Sequence, residues 1–199
     1  HVLAYDRIGY AHSDARIDDD FSIAANARDL VGLLTAEDLR EVTLVGWSYG
    51  APVALQAAGM APGRIARLVL VGAGGTSEEF SGPPEFVEVL FAGPVISWLK
   101  SVPPLGRGLQ REMSSQAFSG QEQPDWWLPL VEANFSKPAT LQTFLGEGAG
   151  VGAEPMRPDR VAQPILLIHG EEDRLAPILI SEWIQKQVPE AGFWRVEGG

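Results

Sequence analysis

Gly46-Trp47-Ser48-Tyr49-Gly50 sets a serine between two glycines, directly after the apolar run Val42-Thr43-Leu44-Val45 and directly before the small-residue stretch Ala51–Met60. A serine hydroxyl is a weak nucleophile until a base takes its proton and a third group orients that base. The spacing suits acyl transfer. A serine at the apex of a sharp strand-to-helix turn projects its hydroxyl above the sheet, and small flanking residues leave room for the backbone path. The next backbone N–H, here that of Tyr49, then sits at a helix N-terminus and faces any oxygen that becomes negative. G-x-S-x-G alone occurs by chance; between a strand and a helix it is specific. The histidines that might serve as base are few: besides His1, the chain has His12 and His169. His169 stands at the end of an apolar run and is expected to hydrogen-bond backbone locally, and His12 lies in a polar loop. Cysteine is absent, which removes a thiol nucleophile, a disulfide framework and Cys-ligated zinc. No HExxH, P-loop or dinucleotide-binding glycine pattern occurs, so metal, nucleotide and NAD chemistry have no support, and no cofactor or metal site is expected.

The elements that must position the serine follow from periodicity. Val2-Leu3-Ala4-Tyr5 is an apolar run closed by Asp6-Arg7 and Gly9, as expected of a buried parallel strand. Asp6 and Arg7 are expected to fix that turn by local hydrogen bonds. The acidic run Asp18-Asp19-Asp20 is read as a solvated approach to a helix capped by Ser22. Ile23, Ala27, Leu30 and Leu34 then follow i, i+4, i+7, i+11 on one helical face. Thr43–Val45 is a second strand, Ala51–Met60 a helix packed close to a sheet, and Arg67–Val71 a third strand ended by Gly72-Ala73-Gly74-Gly75. Ile165–Ile168 is a fourth strand, Ile178–Val188 a helix with Trp183 and Ile184 on its apolar face, and Phe193–Val196 a fifth strand. Strands alternating with helices predict an α/β fold, a parallel sheet with helices on both faces.

Composition changes in the middle. Ten of the 15 prolines and three of the six tryptophans (Trp98, Trp126, Trp127) fall between Ser77 and Asp159, and no strand alternates with the short helical pieces there, such as Phe86–Phe91 and Leu128–Asn134. So long an insertion is a lid or a disordered tract, and the aromatics argue for a lid. The expected organisation is a core over 1–76, a helical cap over 77–160 and a second core segment over 161–199. Trp126 and Trp127 either line a pocket from that cap or form its own core. The 199 residues carry 15 Lys+Arg against 26 Asp+Glu, a formal charge of −11, with 45% hydrophobic residues. An acidic globular chain of this kind lacks the cationic face that nucleic acid or anionic membranes require. Its apolar runs are too short to span a bilayer. A small-molecule partner and a cytoplasmic location are expected; oligomeric state is left open.

These segments together resemble the α/β-hydrolase family. Tyr5-Asp6-Arg7-Ile8-Gly9-Tyr10-Ala11-His12-Ser13-Asp14 is similar to the family's segment after its fourth strand, usually YDRxGxGxS, with Ala11 where a glycine is commoner. Arg64–Val71 resembles the strand after the nucleophile helix. Pro164-Ile-Leu-Leu-Ile-His169-Gly170-Glu171-Glu172-Asp173-Arg-Leu-Ala-Pro177 matches the segment that delivers the family's acid. The resemblance implies Ser48 as nucleophile, Tyr49 N–H as one oxyanion-hole donor and Asp173 as the acid, with Glu171 and Glu172 as nearby substitutes. Trp47, Trp126 and Trp127 become candidates to line the substrate. The implied activity is a serine hydrolase cleaving a small or medium acyl compound, a carboxylic ester first, through an acyl-enzyme. Hydrolysis of a C–C bond or perhydrolysis on the same triad, and a non-catalytic binding protein on the same fold, are the alternatives.

The resemblance also implies parts not found between His1 and Gly199. The family's catalytic histidine follows its last strand after a glycine-containing turn, and here that turn is Glu197-Gly198-Gly199. The second oxyanion donor belongs to a loop upstream of His1. The chain is therefore expected to be cut at both ends and to be inactive by itself. In the family's strand order another strand lies between those corresponding to Val2–Tyr5 and Thr43–Val45, so a gap or a displaced pairing is expected between these two.

Overall fold

A computed structural model describes residues 1–15, 20–77, 104, 108, 118, 122–151 and 154–199. Two compact units are present, one comprising His1–Ser22 with Pro84–Gly150 and the other Ile23–Pro83 with Val151–Gly199. The stretch Phe86–Phe91, Trp98, Asp18 and Asp19 lie outside the described residues.

The second unit is a four-stranded parallel sheet flanked by helices. Its strands are β1 (Val42–Trp47), β2 (Ile65–Val71), β3 (Ile165–Gly170) and β4 (Gly192–Val196), in the spatial order β1-β2-β3-β4. Three helices belong to it: α1 (Ile23–Ala36), α2 (Gly50–Met60) and α5 (Leu179–Gln187). The periodic residues of α1 (Ile23, Ala27, Leu30 and Leu34) are all buried, as their spacing predicts. Its first turn is tied by Glu154, whose carboxylate accepts the Ala24 N–H at 3.1 Å. At its end Arg64 donates to Leu34 O of the last turn and to Leu39 O of the loop that follows. Pro52 sits in the first turn of α2, where a missing N–H costs no intrahelical bond. The small residues Ala51, Ala54, Ala57 and Ala58 bring α2 close to the sheet, and all are buried.

Register explains the core. Leu44 pairs with Leu68 and Leu68 with Ile165, while Gly46, Leu70, Leu167 and Phe193 form the next row. These side chains join α1, α2 and α5 in one hydrophobic cluster. The alternate rows run Val45-Val69-Leu166 and Trp47-Val71-Ile168-Trp194. On that face Val45 is 69% exposed, Trp47 61% and Trp194 62%.

Val2–Tyr5 is not a strand. Residues 1–7 carry no regular structure, and Val2 is 97% exposed. An apolar run holds strand geometry only when a neighbour completes its ladder, and among the described residues the sheet ends at β1. The sheet therefore has four described strands rather than five, with no pairing between Val2–Tyr5 and Thr43–Val45.

The first unit contains α3 (Trp127–Phe135) and α4 (Pro138–Val151). The turn after Tyr5 is fixed locally by Asp6, which accepts the His12 N–H, while Ser13 Oγ donates to Asp6 O at 2.7 Å. Arg7 departs from the local role expected of it. Its guanidinium spans to the buried Glu147 of α4, at 2.8 and 3.1 Å, and Tyr10 Oη donates to the same carboxylate at 2.7 Å. Gly9 has φ 77°, and a Cβ there would lie 1.9 Å from Thr143 Oγ1, so no side chain fits. Ala11 has φ 41°, the left-handed region that glycine adopts without strain. Trp126 is exposed and edge-on to Trp127, which in turn meets Phe118 edge-on at 5.3 Å.

Candidate active site

Ser48 immediately follows β1 and has φ 50°, in the left-handed region where a side chain is strained. Close approach of the two elements forces this path. A Cβ on Gly46 would stand 2.4 Å from Gly50 O and 3.0 Å from Ala51 Cα, so only glycine lets β1 run directly into α2. The second glycine of the motif differs, because a Cβ on Gly50 would meet nothing within 4 Å among the described residues. The strained residue is pinned on both sides. Ser48 N–H donates to Val71 O at 2.9 Å, and Ser48 O accepts from Ala51 and Gly74 N–H at 3.0 and 3.2 Å. Ser48 is exposed. Tyr49, next in sequence, opens α2, so its N–H lies at the positive end of that helix. Its phenol oxygen accepts a hydrogen bond from Asn26 of α1 at 3.4 Å.

Asp173 belongs to the loop after β3. Its Oδ1 accepts N–H bonds from Leu175 and Ala176, both at 2.9 Å, which fixes the carboxylate plane. Asp173 is half-buried, whereas its neighbours Glu171 and Glu172 are exposed. His169 is fully buried beneath this loop and acts on it. Its Nε2 donates to Ala176 O at 2.6 Å, since a carbonyl can only accept, and Nδ1 meets the buried Ser181 hydroxyl at 2.7 Å. With both ring nitrogens engaged, His169 is a brace for the loop. His12, in the first unit, is exposed with Nδ1 3.3 Å from Asp6 Oδ2.

Because the strands are parallel, everything that follows them gathers at one edge of the sheet. Ser48 follows β1, Gly72–Gly75 follow β2, Asp173 follows β3 and Glu197–Gly199 follow β4. The glycines after β2 connect the first and third of these. A Cβ on Gly74 would lie 3.6 Å from Ser48 Oγ, and one on Gly72 would lie 3.4 Å from Asp173 Oδ2. The Trp47 ring nitrogen is 3.7 Å from the same Gly72 position, which puts the indole beside the acid. The turn after β4 closes the group: Gly199 O accepts Glu172 N–H at 2.8 Å, and Val196 O accepts Glu171 N–H. In the sequence Gly72–Gly75 mark only the end of a strand, and their dense spacing is the one signal that sets them apart. Among the described residues, no group of His, Asp and Glu side chains is arranged to hold a metal ion.

The fold and this edge define a class. A sequence model of the alpha/beta hydrolase fold matches residues 1–199, and the chain belongs to that family. It is 30% identical over 186 residues to the 2-hydroxy-6-oxononadienedioate/2-hydroxy-6-oxononatrienedioate hydrolase of Paraburkholderia xenovorans, covering 89% of this chain and 61% of that protein. A pimeloyl-[acyl-carrier protein] methyl ester esterase of Aromatoleum aromaticum is 29% identical over 170 residues, covering 79% of this chain and 65% of the esterase. The chain thus spans about three-fifths of the length of these curated relatives. An esterase from Exiguobacterium antarcticum superposes with a TM-score of 0.74 at 20% identity, covering 98% of this chain and 71% of the esterase, a likeness of fold. No helix among the described residues is long and apolar enough to cross a membrane.

Proposed function

We propose that Ser48 is the nucleophile of a serine hydrolase that acts on a small or medium acyl compound, a carboxylic ester being the preferred class. The observation that carries the reading is the strained, exposed Ser48 between Gly46 and α2, at the same sheet edge as Asp173. Ser48 Oγ attacks the carbonyl carbon while a general base removes its proton. Asp173 Oδ2 accepts the base's other N–H and holds it in the productive tautomer. Tyr49 N–H, at the N-terminus of α2, receives the negative charge that develops on the carbonyl oxygen. The intermediate collapses to an acyl ester on Ser48 as the protonated base delivers its proton to the departing alcohol. Water, activated by the same base, then releases the carboxylate and restores the hydroxyl.

The base in this reading is a histidine other than His169, whose ring nitrogens are both occupied. A base meeting both Ser48 and Asp173 has a natural seat beside the turn after β4, which the Gly199–Glu172 hydrogen bond holds against the acid loop. Trp47 walls the acid side of the site. A second reading, cleavage of a C–C bond in an oxo acid on the same serine, draws on the likeness to the Paraburkholderia hydrolase.

The test is covalent labelling of the protein expressed from its complete gene with a fluorophosphonate. Ser48 is expected to label far faster than a surface serine, Ser48→Ala to abolish labelling, and p-nitrophenyl ester turnover to disappear with it. Labelling at the rate of an ordinary serine would favour the non-catalytic binding reading. Turnover of an oxo dienoic acid with no ester turnover would favour the second.

A further inference from the structure

The segment that joins nucleophile to acid has a chemical job of its own. Ala73 is fully buried in the core, while the missing side chains of Gly72 and Gly74 are directed at Asp173 and Ser48. At Gly74 the fold leaves space that it does not need. A methyl there would make only ordinary van der Waals contacts, 3.4 Å from the Ser48 carbonyl carbon and 3.6 Å from Oγ, and Gly74 has no positive φ. Its N–H, which donates to Ser48 O, would be retained by alanine. At Gly72, with φ 50°, the added carbon would stand 3.4 Å from Asp173 Oδ2 and 3.7 Å from Trp47 Nε1.

We propose that Gly72 and Gly74 are positioning residues that set the clearance of the site, Gly74 for the acyl carbon approaching Ser48 and Gly72 for the base approaching Asp173. The inference rests on the serine-hydrolase reading and adds two residues to it. Reacting atoms must come within about 3–3.5 Å of one another, so a methyl beside Oγ competes directly with the substrate carbon. A purely structural glycine would behave differently, because its substitution would lower stability before it lowered reactivity.

The experiment compares Gly74→Ala, Gly72→Ala and, as a control, Gly63→Ala, whose position is open, in the protein expressed from its complete gene. Gly74→Ala is expected to keep its thermal midpoint within about 2 °C of the wild type. Its fluorophosphonate labelling at Ser48 should fall about 10- to 100-fold, the scale set by small misplacements at a reacting centre. Gly72→Ala, at a φ of 50° that strains any side chain, should lower the thermal midpoint. On the folded protein it should lower kcat by about tenfold or more while KM stays within about twofold, the signature of an interaction used after binding. Unchanged kcat on the folded protein would overturn its part of the proposal. Gly63→Ala should match the wild type throughout. Wild-type labelling and turnover in Gly74→Ala would overturn the proposal, as would a loss of stability that accounts for its loss of labelling. A wild-type protein whose Ser48 does not label would instead sink the parent reading, which separates the two failures.

Discussion

Asp173 serves two directions with its two oxygens, and they can be separated by substitution. Oδ1 closes the loop by accepting the Leu175 and Ala176 N–H groups, while Oδ2 lies beside Gly72 and 3.6 Å from Nε2 of the buried His169. In Asp173→Asn the amide oxygen can keep both loop bonds while an NH₂ group replaces the acceptor at the Oδ2 position. Turnover in the protein expressed from its complete gene is expected to fall by about 10⁴-fold, the size of the acid-to-amide effect in a serine protease triad. Its urea midpoint should fall less than that of Asp173→Ala, because the loop bonds stay while the new NH₂ meets the His169 Nε2–H. Asp173→Ala loses the loop bonds as well, and urea unfolding should register an added cost of about 1–3 kcal/mol. An Asp173→Asn protein with full turnover would remove the orienting role. At this scale the sequence pointed to Ser48, Tyr49 and Asp173 for the proposed roles of nucleophile, oxyanion donor and acid, because those roles call for recognisable residue types at recognisable places. The dense glycines after β2 mark a turn at that edge, but the task proposed for Gly72 and Gly74 shows only once the atoms around them are in place.

The strand-to-helix turn shows what a motif leaves unsaid about its own parts. Gly46 and Gly50 are equivalent letters in G-x-S-x-G, yet only the first is packed against backbone. Gly46→Ala drives a methyl into Gly50 O and Ala51 Cα, a contact that must move β1 or α2. We expect a loss of about 1–3 kcal/mol, the usual range for overpacking, together with loss of Ser48 labelling. Gly50→Ala occupies open space within a helix and is expected to be neutral or to stabilise by up to about 1 kcal/mol through helix propensity. Thermal and urea unfolding of the two variants test the contrast, and equal destabilisation would contradict it. The four strands were legible as apolar runs, α1 from its 3.6-residue spacing and α2 from its small residues, whereas α4 was not, because its sequence carries no strong apolar repeat. Val2–Tyr5 was not, because an apolar run has the composition of a strand whether or not a neighbour is present to pair with it. Arg7 was misjudged for a related reason: its partner Glu147 lies 140 residues away, and charge alone does not reveal so distant a pairing.

For the molecule as a whole, the alternating burial of the strands leaves Val45, Trp47, Leu166 and Trp194 exposed on one side of the sheet. Contiguous apolar surface of this kind binds apolar probes and drives association, while a net charge of −11 opposes close approach of copies. The 199-residue chain is expected to enhance ANS fluorescence in its folded state, and Val45→Lys with Trp194→Lys to suppress most of that signal. An unresponsive probe would show that the face is covered. Sequence by itself determined the family, the identity of the strained serine and the order of the elements, because periodicity, glycine spacing and residue chemistry are local properties. His169 bonds the nearby Ala176 carbonyl, as its place in the sequence led one to expect. Only the tertiary structure decided which atoms surround Gly72 and Gly74 and which partner Arg7 takes, because these depend on segments far apart in the chain.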